Sequence, residues 1–110
     1  MLPMEGSALR FAAVARTLAQ AARASGLSTP SFRSPPGLAH VQRSLRRRRG
    51  SVTVAVRLRE RPWPAVVADM VEGVVVANRL EGTAADRART QLWAALEDAG
   101  LVAGEGARAA

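Results

Sequence analysis

Seven arginines stand within seventeen residues of this 110-residue chain, at Arg43, Arg46, Arg47, Arg48, Arg49, Arg57 and Arg59. Guanidinium is planar, permanently charged and forks onto pairs of phosphate or carboxylate oxygens, so the chemistry open to the group is anion binding. Contact of that kind neutralises phosphates. It weakens steeply with salt and reads no base sequence by itself.

Other chemistry is poorly provided for. The single histidine, His40, lies far in sequence from any acid, and a general base needs a partner within reach. Asp69 and Glu72 are three apart and could work as a carboxylate pair, but a helical wheel turns them outward, where ordinary solvated charges or partners of Arg79 are the simpler expectation. There is no cysteine, and no cluster of His, Cys and acid has metal-ligand spacing. Gly73, Gly82, Gly100, Gly104 and Gly106 fit no nucleotide-binding fingerprint. The expectation is a noncatalytic protein with no metal and no cofactor.

Charge is distributed unevenly. Residues 6 to 59 hold eleven of the sixteen basic residues and no acid, whereas residues 60 to 110 set five arginines against eight acids. Codon bias in a GC-rich, bacterial genome accounts for arginine in place of lysine. It does not account for the missing acids. A cationic half attracts polyanions or an acidic partner. Phe11, Phe32, Trp63 and Trp93 are the only aromatics, too few for the stacking platform of a single-strand binder, so duplex or generic polyanion contact is favoured. Two readings follow. One is a small accessory protein contacting nucleic acid through phosphates. The other is an interaction or self-assembly module, homo-oligomeric or docked on an acidic protein, whose arginines only keep an exposed hairpin soluble.

Length limits the chain to one small domain, expected over residues 1–99, with a Gly/Ala-rich flexible tail at 100–110. Absence of cysteine fits a reducing cytoplasm. Met1 to Ser34 has the composition of a presequence, but the same bias continues beyond any cleavage point. No apolar run approaches the roughly 20 residues of a membrane span.

The elements that would position the arginines follow from periodicity. Over residues 8–25 a helix gathers Phe11, Val14, Leu18, Ala21 and Ala22 on one stripe, with Gly26 as its stop. Residues 27–38, crowded with Ser and Pro, are an extended linker, ordered if Phe32 and Leu38 bury themselves. Val52, Val54, Val56 and Leu58 then alternate with polar or small residues as in a strand, and Val41 and Leu45 do the same before it. Paired around Arg49 and Gly50, the two runs set Leu45 against Val54, with Arg46, Arg48, Arg57 and Arg59 on the opposite side. Ser31 to Ser34 is the candidate for a third strand.

From Trp63 the period becomes helical. Trp63, Val66, Val67, Met70, Val74 and Ala77 share a face opposite Asp69, Glu72, Val76 and Arg79, and Gly73 at the flank invites a close neighbour. Thr83 and Asp86 have capping-box spacing before a last helix with Ala85, Ala88, Leu92, Ala95, Leu96 and Ala99 on its apolar face, closed by Gly100. The expected fold is therefore α+β: an N-terminal helix, an extended linker, a two- or three-stranded antiparallel hairpin sheet, and two C-terminal helices.

Overall fold

The computed structural model describes residues 3–34, 43–48, 51–56 and 62–102; for residues 3–8, 43, 44, 46, 48 and 51 it describes the backbone alone. Helix α1 spans Pro3–Ala24, strand β1 Ser31–Arg33, β2 Arg43–Arg48, β3 Ser51–Val56, helix α2 Trp63–Ala77 and α3 Gly82–Asp98. The sheet order is β1-β3-β2.

Two parts of the α+β expectation need correction. Helices of 22, 15 and 17 residues outweigh strands of 3, 6 and 6, so the fold is mostly α with a small sheet. Nor is the sheet an antiparallel one, because β1 runs parallel to β3, with Phe32 beside Val54. On the other flank β2 runs antiparallel to β3 and puts Leu45 beside the same Val54. The central strand therefore receives an apolar side chain from each edge on one face. Phe32, Leu45 and Val52 all pack against the core that Val54 and Val56 enter.

Valine-rich α2 carries apolar residues around most of its wheel, which suits a helix covered on several sides. Val66, Val67, Met70, Val71, Val74 and Val75 are buried, and the helix touches β2, β3, α1 and α3. Val71 and Val75 extend burial beyond the expected single face. Pro64, which has no N–H to leave unpaired, sits in the first turn. Val14, Leu18 and Ala22 of α1 and Leu92 and Leu96 of α3 close the core.

Glu72, whose side chain is 34% exposed, pairs with Arg89 and not with the expected Arg79. Arg89 of α3 donates to Glu72 from Nε at 2.6 Å and from Nη2 at 3.0 Å, and from Nη1 to Asp86 at 2.9 Å. The hydrogen bond to Glu72, and then its charge, raise the Arg89 pKa above the ordinary guanidinium value. Asp86 thus serves an ion pair. The capping box is absent: Glu81 is the N-cap of α3 and makes no side-chain cap bond. The chain enters through Gly82 at φ 56°, one residue ahead of Thr83, which leaves Thr83 inside the helix.

Each helix ends in a left-handed turn. After α1 and α3, Gly26 and Gly100 take positive φ, and the amides of Leu27 and Leu101 reach back to the carbonyls of Ala22 and Leu96 at 2.8 and 3.0 Å. After α2 the same closure, Leu80 N–H to Val75 C=O at 3.1 Å, is made with Arg79 at φ 55°. Beside it, Asn78 accepts from the Ser28 amide at 2.7 Å and donates to the carbonyls of Ser28 and Val74 at 3.0 and 2.9 Å, tying the chain after α1 to the end of α2.

Gly73 makes the helix-sheet contact. A methyl group there would lie 2.7 Å from Val54 Cγ1 and 3.2 Å from Cγ2, and valine has no freedom to swing aside. Alanine gains about 1 kcal/mol of helix propensity, but overpacking costs about 1–3 kcal/mol. Gly73→Ala is therefore expected to lower unfolding free energy in urea by about 1 kcal/mol, and to become neutral or stabilising in a Val54→Ala background. Arg79→Gly is expected to raise stability by about 0.5–1 kcal/mol in the same assay, since left-handed strain in an L-residue exceeds the extra entropy glycine gives the unfolded chain.

Candidate polyanion-binding face

Strand β2 reads RSLRRR because its alternation has a core side and an outer side. Arg43, Leu45 and Arg47 share one parity, and Leu45 takes the core. Ser44, Arg46 and Arg48 have the other parity and stand at register positions opposite Ala55, Thr53 and Ser51 of β3. On the far flank of β3, Ser31 stands opposite Thr53 and Arg33 opposite Ala55. This side of the sheet is opposite the one where α2 lies on Val54. Its central row, Ser51, Thr53 and Ala55, is made of short residues, with arginine positions on both flanks.

Of the seven arginines singled out by sequence, Arg49, Arg57 and Arg59 lie outside the described residues, and Arg43, Arg46 and Arg48 are placed by backbone register alone. Arg47 has a different occupation. Its Nη2 donates to the carbonyls of Val76 and Ala77 at 3.2 Å each. Those belong to the last turn of α2, where the helix dipole is negative; the Val76 carbonyl also accepts from the Arg79 amide at 3.0 Å. Arg47 therefore caps a helix.

Arg33 enters the face without having been expected. It is exposed on β1, and only the pairing of β1 with β3 brings it to the same side as Arg46 and Arg48. A three-residue segment in a Ser/Pro-rich stretch carries no signal for that pairing. The acids with assigned partners lie elsewhere: Glu72 and Asp86 meet Arg89 between α2 and α3. His40 and Glu60 lie outside the described residues. Among the described residues there is no group of three or more His, Cys, Asp and Glu able to hold a metal ion, and no helix is long and apolar enough to cross a membrane.

Against known proteins, the chain matches no family model, no curated protein and no solved structure.

The two parities of β2 should differ in what substitution does. Arg47→Ala removes the cap of α2 and is expected to cost about 1 kcal/mol in thermal or urea unfolding. Arg46→Ala, at the outer parity, is expected to change stability by less than about 0.5 kcal/mol.

Proposed function

We propose that the chain is a small noncatalytic accessory protein whose arginine-bearing sheet face contacts polyanions, nucleic acid foremost, by nonspecific phosphate neutralisation. The observation supporting this most directly is the register that sets Arg33, Arg46 and Arg48 around the short central row Ser51, Thr53 and Ala55. Short side chains in the middle let a broad anion approach the flanking charges. The acid-free stretch from residue 6 to 59 gives the same face a long-range attraction. Phosphate neutralisation needs only charge and reach, so the proposed contact is to backbone phosphates. Absence of cysteine supports placing the protein in a reducing cytoplasm.

Fluorescence anisotropy with a labelled duplex and its single strand tests the proposal. Duplex affinity is expected to be micromolar or weaker at physiological salt. With one phosphate each for Arg33, Arg46 and Arg48, log affinity should fall with log salt at a slope of about −3, and each replacement by Gln should remove about one unit of slope. No anisotropy change at low salt, or a change unaltered by replacing Arg46, Arg47, Arg48 and Arg49 with Gln, ends the proposal.

A further inference from the structure

A second feature lies among different residues. Where α1, the start of α2 and the end of α3 meet, Arg10, Trp63, Pro64, Trp93, Leu101 and Val102 line a recess of about 560 Å³. That volume lies within the range of small-molecule sites, about 300–1,000 Å³. Both tryptophans of the chain border it, and both are half-buried. The guanidinium carbon of Arg10 lies 4.3 Å from the ring centroid of Trp63, a cation over an aromatic face. Among the described lining residues Arg10 is the one charged group, and none is an acid. Trp63 adds an anomaly: its Nε1 is shielded from solvent and has no hydrogen-bond acceptor, a state that native proteins seldom leave unexplained.

We infer that this recess binds a small aromatic carboxylate. Indole faces favour a flat π system over an aliphatic body. A single guanidinium forks onto a planar monoanion, whereas a phosphate dianion would call for a second cation that the described lining lacks. None of these residues belongs to the arginine face, so the inference stands apart from polyanion binding.

The full chain titrated with 2-naphthoate tests it, by calorimetry and by the two indole N–H signals in a nitrogen-proton correlation spectrum. A ligand of this size should bind with a dissociation constant between tens of micromolar and about 1 mM, and shift both indole signals. The neutral 2-naphthamide should bind about tenfold more weakly, the value of one charge-assisted pair, and cyclohexanecarboxylate should also bind more weakly than 2-naphthoate. Exposed Arg10 changed to Gln should weaken 2-naphthoate about tenfold and leave 2-naphthamide unchanged. Equal binding of the acid and the amide, cyclohexanecarboxylate binding as tightly as 2-naphthoate, indole signals that stay in place, or indifference to Arg10→Gln would each overturn the assignment. The comparison of acid, amide and saturated ring is made on the unaltered protein and so is independent of how any variant folds.

Discussion

The approach of α2 to the central strand is the constraint on which the rest depends. Val54 is flanked by Phe32 and Leu45 on its sheet neighbours and has Gly73 directly above it. A larger residue at 73 would lift the helix off the sheet, and the lift would be felt on the helix's other sides as well. Val71, Val74 and Val75 are buried in a helix that meets α1 and α3 as well as the sheet. A chain this short has few other apolar residues to recruit, so a gap at this contact could not be filled from elsewhere.

The C-terminal end of α2 is where the remaining pieces are fastened. Arg47 reaches it from β2, Asn78 holds the backbone of Ser28 after α1, and Arg79 turns the chain toward α3. A left-handed arginine is strained backbone, tolerated where surrounding bonds over-determine the geometry. Here the Leu80 amide, the Asn78 side chain and the Arg47 guanidinium all engage carbonyls between Val74 and Ala77.

Much of the helical part was legible in sequence, since Phe11, Val14 and Leu18, and again Val66, Val67 and Met70, follow a period that only a helix turns to one side. Gly73 was legible as a close approach because a glycine amid valines has no better reason to be there. The direction of β1 was not. With period two, Phe32 faces inward and Ser31 and Arg33 outward whether the strand runs up or down, so parity is blind to parallel pairing. The Thr83 and Asp86 spacing was a true pattern with a false inference, because Gly82 moves the helix start and Arg89 claims the acid. Arg47 could not be read as a cap either, since its acceptors lie 29 and 30 residues away on another element.

Net charge treats every guanidinium alike, yet Arg47 is directed to helix carbonyls, Arg89 to two carboxylates and Arg10 to an indole face. An arginine whose Nη2 donates to carbonyls keeps its full charge while part of its fork is engaged, so it adds to the field of the strand with fewer donors left for a bound anion. Arg47 is drawn toward the end of α2, whereas Arg46 and Arg48, one step either side, stand at the opposite parity of the strand.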